Sequence, residues 1–336
     1  MDTNLPQRFV ELSLNSLRQV HAPFQLNQQI IQQDNHCDNC PISLQLKRQP
    51  LPLKPCQEET LVAAVDTSTI KIGETSTGII IAVRGANVWK QNRTYHYRRL
   101  GPFIFHITED NKKEVFNALE KSYFGIPYGH QSTPNLLQMP TRLASLLERW
   151  LQNMVVRTAA NGLVLFDGSL TSGTFDTPVE RMREILTTAR GHGNIVLAFS
   201  KATCLRVNGY LITDLLPERA PPYLLETTGL RFKPPTVLLG DVYVARLNKA
   251  NFAFRLDIDR EIPFTERIAA LELLIGNDVF QSYPETLRLA HILCTFTANE
   301  VLAIQHFITS KHGIQMVNRP DMHRLLFGSF GKEGYA

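Results

Sequence analysis

Hydrophobic residues in this chain form short continuous runs that end at turn residues, and two runs end on an aspartate. The runs cover 61–65, followed by Asp66, and 162–166, followed by Asp167. Such a run predicts a buried strand, whose carboxyl end lies where a parallel sheet opens into a crevice. If the two strands are neighbours, their carboxylates lie close together and repel each other. A bound divalent cation usually neutralises such a pair. The pattern therefore predicts metal-dependent chemistry on a phosphate ester.

The same pattern predicts a sheet with helices on both of its faces. The predicted strands cover 61–66, 78–89, 94–107, 162–167 and 194–199, with a hairpin formed by 237–247 and 252–258. The predicted helices cover 110–122, 140–156, a segment from 177, 264–275 and 284–309. Three successive strands followed by alternating helices and strands indicate a mixed α/β sheet of the ribonuclease H-like architecture.

Three regions are predicted along the chain. Residues 1–58 are an arm or linker with a short helix, 59–310 the main α/β domain, and 311–336 an exposed tail. The arm contains Cys37 and Cys40 in a Cys-x-x-Cys pair, with His36 beside it and Cys56 further along. These residues could hold a structural zinc ion, but a second paired knuckle is missing, so free thiols are the other interpretation.

Composition excludes some classes of protein. Of 336 residues, 43% are hydrophobic and 20% are charged, as in a globular chain. No apolar run reaches the length of a membrane span, and no secretory signal is visible, while five cysteines form an odd set that favours a reducing cytoplasm. A net charge of +4 allows contact with a polyanion and equally suits an ordinary surface.

Three further side chains are candidates for the same crevice, each with an ordinary alternative. Glu148, on the helix that leads into 162–167, could be a third carboxylate, or a solvated residue paired with Arg149 or Arg142. Lys201 follows a predicted strand and could contact phosphate, or be a plain surface lysine. His291 could be a metal ligand or an acid for the departing oxygen, or a core histidine.

Basic and aromatic residues alternate along the third predicted strand. They are Lys90, Arg93, Tyr95, His96, Tyr97, Arg98 and Arg99. Such a strip could follow a nucleic-acid backbone and stack bases, or could be the solvent face of a strand. A second basic group near the C-terminus comprises Lys311, His312, Arg319, His323 and Arg324.

Six short motifs, in this order over residues 60–310, resemble the NurA nuclease family. They are Ala64-Val65-Asp66-x-Ser68, Leu165-Phe166-Asp167-Gly168-Ser169-Leu170, Phe199-Ser200-Lys201, Val242-Tyr243-Val244-Ala245-Arg246-Leu247, Phe254-Arg255-Leu256-Asp257 and Tyr283-Pro284-x5-Ala290-His291. One departure is Thr67, where the family commonly has glycine.

The resemblance implies a ribonuclease H-like fold, a homodimer and dependence on Mn²⁺, with Mg²⁺ as the other candidate. It implies single-strand endonuclease and 5′-to-3′ exonuclease activity on DNA, exerted with a HerA-type hexameric ATPase in repair or defence. By resemblance, Asp66 and Asp167 are metal ligands and Glu148 is a third carboxylate, for which Glu120 is the alternative. Lys201 and His291 complete the implied site, His291 also as a metal ligand.

Two other functions stay open at this point. Asp66-Thr67-Ser68 before a hairpin also resembles the first phosphate loop of actin-like ATPases and sugar kinases, although no Gly-rich adenosine site is visible. A nuclease-like scaffold that binds DNA or an ATPase without catalysis is the other alternative.

Overall fold

The computed structural model describes residues 43–47, 49–124, 134–174, 177–249 and 252–317. The strands are β1 (Ser43–Leu46), β2 (Leu51–Pro52), β3 (Val62–Glu74), β4 (Gly78–Gln91), β5 (Thr94–Thr108), β6 (Leu163–Asp167), β7 (Thr171–Ser172), β8 (Ile195–Ser200), β9 (Arg206–Val207), β10 (Tyr210–Leu211), β11 (Tyr223–Arg231), β12 (Val237–Leu238), β13 (Gly240–Arg246) and β14 (Phe254–Asp259). The helices are α1 (Lys112–Phe124), α2 (Met139–Thr158), α3 (Val179–Gly191), α4 (Phe264–Asp278), α5 (Glu285–Cys294) and α6 (Ala298–His312).

One mixed sheet organises the described residues. Its strand order is β1-β11-β13-β14-β8-β6-β3-β4-β5, and β2 also pairs with β11. The pairs β3–β6 and β6–β8 are parallel, whereas the other pairs in the sheet are antiparallel. This arrangement confirms the predicted fold class, a ribonuclease H-like mixed sheet with flanking helices.

Helices cover both faces of the sheet. Ala63 and Val65 of β3 pack in the layer that α2 and α3 contribute to, whereas Val62 and Ala64 pack in the layer that α4 and α5 contribute to. Successive side chains of a strand point to opposite faces, so Asp66 continues the series of Val62 and Ala64. The sequence alternation therefore directs Asp66 toward α5.

The first predicted strand was too short. It was expected to end at Asp66, but β3 continues to Glu74, paired with β4 along this length. The pairing of β3 with β6 reaches only Val65 and Phe166. Asp66 therefore lies within a strand but at the end of its parallel pairing, because β6 stops at Asp167 while the β3–β4 hairpin extends further.

The predicted helix over 284–309 is two helices, α5 and α6. Thr297 begins α6 with a capping box, in which its hydroxyl accepts a hydrogen bond from the Glu300 backbone N–H and the Glu300 carboxylate accepts one from the Thr297 backbone N–H. The Thr-x-x-Glu spacing that marks such a start is present in the sequence. The prediction failed because the apolar periodicity continues across the break.

By length and composition, the segment Glu285–His312 could cross a membrane, which is weak evidence. The capping box divides it into helices of 10 and 15 residues, and each is shorter than the roughly 20 residues that a span requires. The side chain of Arg84, which is 3% exposed, also donates to the Glu300 carboxylate at 2.8 Å and 3.2 Å. This ion pair fastens α6 to β4 of the sheet.

Sequence patterning missed β11 and two of the strands that pair with it, β1 and β2. β1 and β2 lie within the region predicted as an arm, where Leu44 and Leu53 are buried. The predicted N-terminal helix and the Cys37 and Cys40 pair lie outside the described residues. The three-region division therefore stays a prediction.

Candidate active site

Asp66 and Asp167 lie side by side at one edge of the parallel pairing. Val65 of β3 pairs with Phe166 of β6, and the next residue of each strand is the aspartate. Residues in register on neighbouring parallel strands lie about 5 Å apart and point to the same face. The negative charge of Asp167 accordingly raises the pKa of Asp66. The structure thus brings the two predicted ligands together.

The Asp66 carboxylate is held at both of its oxygens. The Thr67 backbone N–H donates to Oδ1 at 2.7 Å, and His291 Nδ1 lies 2.8 Å from Oδ2. The side chain is 9% exposed, and burial is the largest of the causes that raise its pKa, ahead of the charge of Asp167. The two hydrogen bonds oppose that rise but do not cancel it. Asp66 is therefore a positioned carboxylate whose ionised form is disfavoured by burial and by the charge of Asp167.

Thr67, the departure from the family pattern, is accommodated without strain. Its hydroxyl donates to the carbonyl of Ala144 on α2 at 3.4 Å, and its backbone N–H bonds Asp66. The β-branched side chain suits an extended strand. Threonine here anchors β3 to α2 and leaves the ligand in place.

Asp167 is paired with Lys201, which follows the last residue of the adjacent strand β8. Lys201 Nζ lies 2.7 Å from Asp167 Oδ2, and the side chains are 39% and 25% exposed. The turn after Asp167 depends on Gly168 at φ +106°, whose N–H donates to the Phe199 carbonyl at 2.8 Å. Only glycine adopts that backbone angle at low cost. The turn therefore fixes Asp167 at the open end of the site.

Glu148 on α2 lies close enough to Asp66 and Asp167 for their charges to act on it. Its Oε1 accepts a hydrogen bond from Gln152 Nε2 at 3.0 Å, and Arg149 Nη2 lies 3.9 Å away. Burial is the main cause that raises the pKa of Glu148; the charges of Asp66 and Asp167 raise it further, and Arg149 opposes them. Its side chain is 19% exposed, so Glu148 is not fully solvated, and the ion pair with Arg149 that the ordinary alternative expected is present. The alternative carboxylate, Glu120, is buried on α1.

α5 contributes His291 and a residue that the sequence analysis did not single out. Cys294 is fully buried one turn after His291, and its Sγ–H donates to the His291 carbonyl oxygen, with 3.2 Å between sulfur and oxygen. One ligand atom each from Asp66, His291 and Cys294 lie within 4.8 Å of one another. The spacing of three residues between His291 and Cys294 on a helix was the available signal.

Tyr283 was also missed as a site residue, although it lies within one of the quoted motifs. Its ring packs against Phe199 and Phe254, and Lys201 Nζ lies 5.8 Å from the ring centroid. Burial first, and then the charges of Asp167 and Asp66, raise the pKa of its hydroxyl. That hydroxyl is buried and has no hydrogen-bond partner among the described residues.

A cavity of about 400 Å³ opens beside Asp167. Its lining residues are Asp167, Gly168, Ser169, Thr171, Ser200, Lys201, Ala202, Thr203, Cys204, Leu205, Phe232 and Arg255. Hydroxyl groups, two cationic side chains and one aromatic ring thus surround a space that begins at Asp167.

Comparison with known proteins identifies the fold. The NurA nuclease from Sulfolobus solfataricus matches 93% of this chain and 98% of its own, with a TM-score of 0.50 and 15% sequence identity. This chain resembles that nuclease in fold. At this identity the likeness extends to the fold alone, and it covers nearly all of both chains.

A second solved structure matches this chain less closely in fold. The C-terminal lobe of a budding yeast Argonaute matches 76% of this chain and 50% of its own at 9% identity, with a TM-score of 0.34. No protein-family model matches the sequence, and no curated protein matches it.

Proposed function

We propose that this protein is a metal-dependent DNA nuclease that acts as a single-strand endonuclease and a 5′-to-3′ exonuclease on DNA ends in the cytoplasm. The observation that carries the proposal is the placement of Asp66 and Asp167 in register on adjacent parallel strands. The charges of both act on Glu148. Paired carboxylates at a strand edge suit metal-assisted hydrolysis of a phosphodiester.

The residues present fit a divalent cation. Burial and the mutual repulsion of carboxylates raise the pKa values of Asp66 and Glu148, and a cation would relieve that repulsion. The unpartnered hydroxyl of Tyr283 beside them would find a partner in the water that a hard cation retains. Oxygen-rich ligands favour Mn²⁺ or Mg²⁺.

Each side chain has a definite task in this proposal. Asp66, Glu148 and Asp167 would hold Mn²⁺ or Mg²⁺, with His291 beside Asp66. When bound, such a cation activates a water molecule and neutralises charge on the phosphate.

Lys201 and His291 act on the substrate itself. Lys201 Nζ, which Asp167 holds, would contact a non-bridging oxygen of the scissile phosphate and stabilise its growing charge. His291, whose side chain is 54% exposed, is free on its open side to transfer a proton to the departing oxygen.

The edge strand β5 supports a polyanionic substrate. It carries Arg98 and Arg99, together with Tyr97, whose side chain is 63% exposed. Arg99 also pairs with Glu300 at 3.2 Å, so Arg98 is the more available cation. Basic and aromatic side chains on one exposed strand suit a nucleic-acid backbone with unstacked bases.

A homodimer and a HerA-type hexameric ATPase complete the proposal. Both come from the family resemblance, and the match in fold over 93% of the chain supports them. Light scattering after size-exclusion chromatography measures the first, and co-purification with the ATPase measures the second.

The decisive experiment follows cleavage of end-labelled DNA by the full chain, with Mn²⁺, with Mg²⁺ and with a chelator. We expect cleavage only with a divalent cation, and none from Asp66→Ala or Asp167→Ala. Asp214→Asn, which removes an exposed aspartate from a turn, is the matched control and should retain cleavage. Activity in both site variants would refute the proposal, and inactivity of the unmodified protein under all conditions would favour a non-catalytic scaffold.

A further inference from the structure

The site contains a sulfur atom, Cys294 Sγ, which is not a preferred ligand of Mn²⁺ or Mg²⁺. Cys294 Sγ lies with Asp66 and His291 in a group whose ligand atoms are all within 4.8 Å of one another. Mn²⁺ and Mg²⁺ prefer oxygen, whereas thiolate sulfur favours zinc and other soft cations. A carboxylate, an imidazole and a thiol together form a ligand set typical of zinc.

The three residues are arranged so that an ion could enter from one side. Cys294 is fully buried and the Asp66 side chain is 9% exposed, which closes the inner side. The His291 side chain is 54% exposed, which leaves the outer side open to solvent. Three protein ligands and one open position describe an accessible zinc site.

The distances require only a small adjustment. A tetrahedral zinc with bonds of about 2.0 Å to nitrogen or oxygen and about 2.3 Å to sulfur places its ligand atoms roughly 3.3–3.8 Å apart. His291 Nδ1 and Asp66 Oδ2 are already 2.8 Å apart. Because the three ligand atoms lie within 4.8 Å of one another, a shift of no more than about 1.5 Å brings them to that spacing.

We propose that Asp66, His291 and Cys294 bind a thiophilic divalent cation, Zn²⁺ or Cd²⁺, and that this ion inhibits the nuclease by withdrawing Asp66 from its pairing with Asp167. Binding breaks the S–H bond of Cys294, releases its proton to solvent and forms one metal–sulfur bond, without oxidation or reduction. The inhibition rests on the proposed function, whereas the binding does not.

The binding test uses the full chain with Cys37→Ser and Cys40→Ser, which removes the other cysteine pair. Co²⁺ and Cd²⁺ are titrated, and ultraviolet absorption reports charge transfer from thiolate to metal. We expect one equivalent to produce the band, Cys294→Ser and Cys294→Ala to lose it, and Cys204→Ser and Cys56→Ser to keep it. Circular dichroism verifies that each variant is folded. Two different substitutions of Cys294 are used so that the test does not depend on one variant that fails to fold.

Zinc calorimetry in buffers of different ionisation enthalpy should show proton release that disappears in Cys294→Ser. The affinity of that variant for Zn²⁺ should fall at least about tenfold, the lower range for loss of a group that supports a metal site. An absent band, or a band and affinity unchanged by both Cys294 variants, would overturn the site.

The inhibition test measures Mn²⁺-dependent cleavage with increasing Zn²⁺, relative to the zinc-free rate of each protein. We expect the concentration for half inhibition to rise at least about tenfold in Cys294→Ser, in line with its weaker binding. Equal zinc sensitivity of the two proteins would overturn inhibition through this site. A thiolate band in a protein without nuclease activity under any condition would refute the proposed function and leave the binding site intact.

Discussion

Asp257 on β14 and Asp66 on β3 are both buried carboxylates of the central sheet, but their partners differ. Asp257 is fully buried and accepts hydrogen bonds at 2.7 Å from Arg255 Nε and Nη2, and one at 3.0 Å from the Leu170 backbone N–H. Asp66 receives one backbone N–H and a histidine contact, and faces the like charge of Asp167.

Under the proposed function, this difference separates a structural carboxylate from a functional one. A buried charge is tolerated where the protein pairs it and satisfies its remaining lone pairs, as Arg255 does for Asp257. Around Asp66 the chain gathers carboxylates, and the proposed function assigns the compensating positive charge to a divalent cation. Burial alone therefore does not distinguish the two residues, whereas the balance of charge around each one does.

The largest expected effect is on catalysis at Asp66. Asp66→Asn should lower the rate of DNA cleavage by about 10⁴-fold, as removal of a central catalytic group does. Single-turnover cleavage of a labelled oligonucleotide with Mn²⁺ measures it. A folded Asp257→Asn protein should lose far less, and an equal loss in both variants would contradict the distinction between the two carboxylates.

Stability should respond in the opposite order. Asp257→Ala leaves Arg255 buried without its partner and should lower the free energy of unfolding by about 3–5 kcal/mol. Urea denaturation followed by circular dichroism measures the change. Arg255→Met combined with Asp257→Leu should recover most of it, because an apolar pair of similar volume replaces both charges. A loss below about 1 kcal/mol, the scale of an exposed pair, would show that the ion pair is not structural.

Lys201 tests the other side of the site. Lys201→Met should lower cleavage by about 10²-fold, because one charge aimed at the phosphate is lost. Stability should change little, since partly exposed ion pairs contribute at most about 1 kcal/mol. Lys113→Met, at an exposed position of α1, is the matched control for loss of a lysine. Cleavage by Lys201→Met at the control's rate would make Lys201 an ordinary surface lysine.

The smallest expected effect concerns the stability of the metal-free protein. Burial and Asp167 raise the pKa of Asp66 above its ordinary value of 3.8, so Asp66 ionises at a lower pH in the unfolded chain than in the folded protein. The free energy of unfolding should then fall as pH rises through 3.8 toward the raised pKa, and stay lower above it. Asp66→Asn removes this fall, and at pH 7.5 without metal it should be the more stable protein by about 1 kcal/mol, the usual size of a single-substitution effect.

Saturating Mn²⁺ should reverse that order. A ligand at about 100 times its dissociation constant adds about 2.7 kcal/mol to a protein that binds it only when folded. Thermal unfolding with and without Mn²⁺ measures the difference. Equal shifts of the midpoint in the unmodified protein and Asp66→Asn would place the bound ion elsewhere.

Local patterning accounts for the parts of the fold that were predicted correctly. Continuous apolar runs identified β6, β8 and the start of β3, because a strand buried on both faces needs apolar side chains at every position. The runs stop at Asp66 and Asp167, which is why these two residues were found. The missed strands β1, β2 and β11 depend on one another for pairing and lack such runs.

The sequence by itself determined that two aspartates end apolar runs, that a helix carries Glu148 and that a lysine follows β8. Each of these features depends on residues close together in the chain. Only the tertiary structure decided that β3 continues to Glu74 and that α5 brings His291 to Asp66 across 225 residues of chain. It also decided the surroundings of Tyr283 and Cys294. The physical reason is that strand pairing and charge crowding arise between distant segments, and no local pattern encodes the distance between them.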